Sequence, residues 1–199
     1  MSLVVVGGHS RNVGKTSVVA GLIAAMPEYR WTAMKITQYG HGVCSRNGEA
    51  CGCATASHSW TMDEERDRCD RGDTSRFLAA GAERVWWVRT EQGRLAEAMP
   101  AVREKLGGEE YAIVESNSLM KFMRPDVYLA VLDPGTADFK TSAQEVLDRA
   151  DAFVVHAHTG DAGWERVNIR SLPARPLFRI VPPEYVTREI IDFVRSRLS

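Results

Sequence analysis

Residues 8–16 of this 199-residue chain read Gly-His-Ser-Arg-Asn-Val-Gly-Lys-Thr. They follow an apolar run, Leu3 to Val6, and their last two residues open a helical pattern, Lys15 to Met26. Glycines at both ends of such a turn let successive backbone N–H groups curl around an anion, and the helix start adds partial positive charge. The lysine can then bridge the outer phosphates of a polyphosphate, and the next hydroxyl can bind Mg²⁺. On this reading the nucleotide-binding residues are Gly8, His9, Arg11, Asn12, Val13, Gly14, Lys15, Thr16 and Ser17. Five residues separate Gly8 from Gly14, one more than in the common spelling of this loop, and His9 stands where that spelling has glycine.

Three other residues suit phosphate chemistry. Lys35 ends the second predicted strand and Glu115 ends the fourth. Ligands of open α/β sheets bind at those strand ends. A carboxylate there suits Mg²⁺, so Glu115 joins Thr16 in the expected Mg²⁺ set, with Asp73 as a second contact; Lys15 and Glu115 are expected catalytic residues. Asp73 is also the natural N-cap of a helix from about Thr74 to Ala80. A second chemistry is written in the cysteines. Cys44, Cys51 and Cys53 fall within ten residues, Cys69 lies sixteen further on, and His41 and His58 flank them. The spacing fits no standard zinc finger. Thiols between glycines can still hold zinc or an iron–sulfur cluster, with His41 or His58 able to replace one of them; reduced free thiols and redox pairing are the alternatives.

The elements that must position these residues alternate. Strands are expected at Leu3 to Val6, Trp31 to Ile36, Val85 to Val88, Tyr111 to Val114, Val127 to Leu132, Ala152 to Val155 and Leu177 to Val181. Helical patterns cover Lys15 to Met26, Gln92 to Leu106 and Glu184 to Leu198, and a capping box at Ser142-Ala-Gln-Glu145 opens another to about Arg149. This order predicts a doubly wound α/β fold with a mainly parallel sheet of about seven strands. Residues 1–199 read as a single domain, with a Cys-rich excursion at 37–72 that has little apolar periodicity. Trp86 and Trp87 should face opposite sides of the sheet, where packing explains both.

Composition sets the class. Hydrophobic residues at 44% and charged residues at 26% exclude a disordered tail or a collagen-like repeat. A net charge of −1 gives no global attraction to nucleic acid or anionic membrane. No apolar stretch approaches the ~20 residues of a membrane span. The start, Met-Ser-Leu-Val-Val-Val, lacks the basic region of a signal peptide. A cytoplasmic location is therefore expected, where structural disulfides are rare.

The long loop resembles that of dethiobiotin synthetase and the cobyrinic acid amidating synthetases, within the P-loop class that contains the nitrogenase iron protein. Lys35 matches a strand-end lysine of dethiobiotin synthetase and of the molybdopterin-guanine dinucleotide biosynthesis adaptors, the MobB type, and this resemblance adds it to the expected catalytic residues. Asp73-Thr-Ser-Arg76 with Gly81-Ala82, and Ile113-Val114-Glu115, resemble segments of the same adaptors. These matches span residues 3–132, and the MobB-type family is the best fit. The chain departs from it in lacking a histidine-rich run after Lys35 and a glycine after Glu115. The resemblance implies Mg²⁺, GTP or ATP, and a role in molybdenum-cofactor maturation. The expected partners are a nucleotide, a molybdenum-cofactor biosynthesis enzyme and a second copy of the chain. The guanine-reading Asn-Lys-x-Asp is absent, and the base is expected near His156-Ala-His158 or Pro182-Pro183. Two rival functions remain: an ATP-dependent carboxylate-activating ligase, and a Cys-loop metal-delivery protein switched by nucleotide.

Overall fold

The computed structural model describes residues 1–39, 59–69, 71–157, 164 and 174–198. Eight strands are formed among them: β1 Ser2–Gly8, β2 Thr32–Tyr39, β3 Trp60–Glu64, β4 Arg84–Glu91, β5 Tyr111–Glu115, β6 Val127–Leu132, β7 Ala152–His156 and β8 Leu177–Ile180. The helices are α1 Lys15–Ala25, α2 Asp73–Ala79, α3 Leu95–Gly107, α4 Thr141–Gln144 and α5 Arg188–Leu198. The strands lie in one sheet in the order β3-β4-β2-β5-β1-β6-β7-β8. Every pairing is parallel except β3 with β4.

Burial explains the continuous apolar runs. β1 and β6 are interior strands of the sheet, and all six residues of β6 are buried. On one face Val4 and Val6 pack with Val18 and Leu22 of α1, Phe77 of α2 and Val194 of α5. On the other, Leu3 and Val5 pack with Met99 and Val102 of α3, Tyr128 and Leu147. A strand covered on both faces has no polar side to show, so alternation disappears. Trp86 and Trp87 do face opposite ways. Trp86 packs against the second core beneath Lys105, whereas Trp87 donates its indole N–H to Thr37 Oγ1 at 2.9 Å.

The architecture is the expected α/β sheet with four local corrections. The excursion at 37–72 contributes an eighth strand, β3, the antiparallel edge beside β4. Trp60 and Met62 pack inward while Thr61 and Asp63 do not, an alternation only five residues long. Gly72, not Asp73, caps α2, and Ser75 Oγ accepts the Gly72 amide at 2.8 Å. The Ser142 capping box does not form. Lys140 occupies the cap position because its amide is held by the His9 carbonyl, and the segment splits into the single turn α4 and a 3₁₀ turn, Leu147–Arg149. The last helix begins at Arg188 rather than Glu184, whose amide closes a turn on the Val181 carbonyl at 3.0 Å. Among the described residues no helix is long and apolar enough to cross a membrane.

Candidate functional site

The loop between β1 and α1 is shaped by close approach. A Cβ on Gly7 would lie 2.2 Å from Asn117 Oδ1. Asn117, just past the end of β5, closes two hydrogen bonds on the next residue: its Oδ1 accepts the Gly8 amide and its Nδ2 donates to the Gly8 carbonyl, both at 2.9 Å. Gly14 takes φ +87°, a left-handed conformation that strains other residues, and the Tyr185 ring and His156 crowd its side-chain position. Asn12, with φ 58°, is of a type that tolerates this region. Arg11 and Asn12 are exposed at the loop tip. Val13 is buried, and its carbonyl meets His156 Nε2 at 3.0 Å. Ser17 Oγ accepts Arg76 Nη2 at 3.1 Å.

Asn117 carries no motif, and its place two residues past Glu115 is the one hint of it in the sequence. Asn117→Ala leaves two backbone groups of Gly8 without partners, at a cost of about 1–3 kcal/mol. Urea unfolding of the variant checks this, and a midpoint equal to wild type would show that the clamp contributes nothing.

His9 does not serve the loop as glycine would. Its ring is buried; Nδ1–H donates to the Asp138 carbonyl at 2.8 Å, and Nε2 accepts the Asp133 amide at 3.0 Å. Phe139 and Trp164 pack against it with centroids 5.0 and 5.1 Å away. Its amide and carbonyl are bonded to Val131 and Lys140. All its polar groups are engaged with protein, so the imidazole fastens the loop to the 133–140 segment instead of facing a nucleotide. Burial holds its pKa below the usual 6.5.

Four side chains from four elements meet at the opening of α1. Thr16 Oγ1 donates to Glu115 Oε2 at 2.7 Å. Lys35 Nζ donates to Glu115 Oε1 at 2.9 Å and to Asp73 Oδ2 at 2.5 Å. Glu115 is only 5% exposed. Burial opposes the Lys35 charge, but Glu115 and Asp73 together outweigh it and hold its pKa above 10.5. Beside them, Lys15 Nζ donates to the Ser10 carbonyl at 2.6 Å. Burial pushes its pKa down to about 8, Glu115 opposes the shift, and Lys35 and Lys140 add to it. A desolvated ammonium with a carbonyl as its hydrogen-bond partner is a ready anion ligand. Thr16 and the two carboxylates offer hard oxygen donors, the set Mg²⁺ prefers. The residues therefore fit that ion.

Cys44, Cys51 and Cys53, with His41 and His58, lie outside the described residues. Cys69 is exposed, and the neighbouring Asp67 carboxylate raises its thiol pKa. Among the described residues no group of three or more His, Cys, Asp or Glu side chains converges as a metal site.

No protein-family model matches the chain, and no curated protein matches it. Solved structures do. HypB, a hydrogenase maturation factor from Archaeoglobus fulgidus, aligns at 14% identity with a TM-score of 0.54, covering 100% of this chain and 91% of that one. LpxK from Aquifex aeolicus, crystallised with ATP, aligns at 18% identity and TM-score 0.48 over 90% of this chain. The match covers 53% of LpxK, so this chain spans about half of that protein's length. MobB from Bacillus subtilis aligns at 14% identity and TM-score 0.47, covering 100% of this chain and 99% of that one. The chain has the P-loop NTPase fold.

Proposed function

We propose that this chain is a Mg²⁺-dependent P-loop nucleotide-binding protein that hydrolyses or transfers the terminal phosphoryl group of GTP or ATP. Its finer role on this reading is MobB-like, in the biosynthesis of molybdopterin guanine dinucleotide, beside an enzyme of that pathway. The observation that carries the nucleotide reading is the convergence of Lys15, Thr16, Lys35, Asp73 and Glu115 at the carboxyl ends of β1, β2 and β5. The strand-end lysine, the Asp73-to-Arg76 segment and Val114-Glu115 support the finer role.

Each residue has a stated task. Backbone N–H groups of residues 11–16 face the phosphates. Lys15 exchanges the Ser10 carbonyl for phosphate oxygens. Thr16 and Glu115 hold Mg²⁺, which when bound neutralises charge on the phosphate oxygens. Lys35, held between Asp73 and Glu115, keeps a proton on Nζ and presents a fixed positive charge to the terminal phosphate. His156 and Tyr185, against Gly14, border the path toward ribose and base.

Glu115→Gln tests the assignment. It removes one negative charge beside Thr16 and keeps the shape, with one oxygen left to accept Lys35 and an NH2 in place of the oxygen that accepts Thr16 Oγ1. The Mg²⁺ concentration for half-maximal nucleotide binding should rise about tenfold, with affinity for metal-free nucleotide little changed. An unaltered Mg²⁺ titration would remove Glu115 from the ion's surroundings.

A further inference from the structure

Three of the five lysines in the sequence converge on the phosphate loop, and Lys140 is the one that no motif announces. Residues 133–140 leave β6 and are fastened to the loop at four points. The Asp133 amide donates to His9 Nε2 at 3.0 Å, and His9 Nδ1–H donates to the Asp138 carbonyl at 2.8 Å. Ser10 Oγ donates to Asp138 Oδ2 at 2.5 Å, and the Lys140 amide donates to the His9 carbonyl at 2.9 Å. The backbone of Lys140 is thereby fixed against the loop two residues from its tip.

The side chain it presents there is half-buried, and among the described residues its ammonium has no hydrogen-bond or ion-pair partner. Its charged neighbours are Arg11, Asp138 and Lys15. Asp138 already accepts Ser10 through one oxygen. Burial and the Arg11 guanidinium both push the Lys140 pKa down. A half-buried cation held among cations, on a rigid segment, is stabilised when an anion enters.

We propose that Lys140, with Arg11, binds the terminal phosphate of a nucleoside triphosphate and makes the site prefer triphosphates to diphosphates. The proposal rests on the nucleotide reading above. Loop amides serve the inner phosphates, and Lys15 and Lys35 face the outer ones from the side of Thr16 and Glu115. A cation beyond Lys15, on the side of Ser10 and Arg11, meets the charge that a third phosphate adds. A charge-assisted hydrogen bond to that phosphate corresponds to about tenfold or more in affinity.

The test is titration calorimetry of wild type, Lys140→Ala, Lys140→Gln, Lys140→Arg and Arg11→Ala with MgADP, MgGDP and non-hydrolysable triphosphate analogues, with a thermal melt of each protein. The two neutral Lys140 variants should lose about tenfold or more for triphosphates and less than about threefold for diphosphates. Lys140→Arg should recover most of the loss, and Arg11→Ala should show a smaller loss of the same pattern. Either neutral variant that melts as wild type suffices. Equal losses for both nucleotide classes, or none, overturn the role of Lys140 and leave the phosphate loop standing. Wild type that binds neither class overturns the nucleotide reading and this proposal with it.

Discussion

Lys15→Ala should abolish tight binding of both GTP and ATP, raising Kd by roughly a hundredfold or more while the protein stays folded. The side chain makes at least two charge-assisted contacts to phosphate on the proposed reading, each contributing about 1.5–3 kcal/mol. The unliganded protein should tolerate the loss well. Burial holds the Lys15 pKa at about 8, below its ordinary 10.5, so the folded state carries a cost for the charge. A group with a depressed pKa favours folding above its unfolded value and loses that contribution as pH falls toward its folded value. Below about pH 8 the alanine variant should therefore melt no lower than wild type. Calorimetry with each nucleotide, paired with thermal melts, separates the two statements. Wild-type affinity in the variant would remove the phosphate-loop reading altogether.

The second large effect is on stability. His9→Ala should cost about 3–5 kcal/mol, a major part of the ~5–15 kcal/mol that holds a domain together. It empties the space between Phe139 and Trp164 and orphans the Asp133 amide and the Asp138 carbonyl. His9→Phe keeps the ring and loses only the two bonds, at about 2 kcal/mol. The variants also separate a pH effect. The folded His9 pKa lies below 6.5 because the buried ring is penalised for charge, and protonation would take the Nε2 lone pair from the Asp133 amide. The unfolded chain then binds the proton first as pH falls. Wild-type stability should be full above about pH 6.5 and decline below it toward the folded pKa. His9→Phe should lack that decline. Urea titrations at pH 7.5 and 5.5 give both numbers; a histidine variant within about 1 kcal/mol of wild type, or an identical acid decline, would show that the ring fastens nothing.

How far the sequence disclosed this arrangement depended on how local each signal was. β1, the loop and α1 were legible because glycine and lysine punctuate them over a dozen consecutive residues. Lys35 and Glu115 were legible as strand ends, since a parallel sheet gathers such ends at one edge. The role of Asp73 as a cap was a local inference, and it lost to Gly72 because the carboxylate turns instead to Lys35, 38 residues away in sequence. The Ser142 capping box failed for the same kind of reason: a bond from Lys140 to His9 fixes where that turn begins. Asn117 and Lys140 stayed hidden because their tasks exist only once segments more than 100 residues apart are brought together. β3 was missed because five residues of alternation do not stand out in a polar stretch.

One consequence of β3 concerns length. β2 and β3 flank β4, and the Tyr39 and Ser59 carbonyls accept amides from Gln92 and Glu91 on either side of its end. Those two anchors are separated by two inter-strand spacings, about 10 Å. Extended chain covers ~3.3 Å per residue, so three or four residues would join them. A shortened chain with such a link should retain the sheet, because both anchors are paired independently to β4. The nineteen residues from 40 to 58 exceed that need several times over, and three of the four cysteines fall among them. Their first anchor, Tyr39, ends β2 at the carboxyl side of the parallel strands, the side on which Lys35 and Glu115 meet.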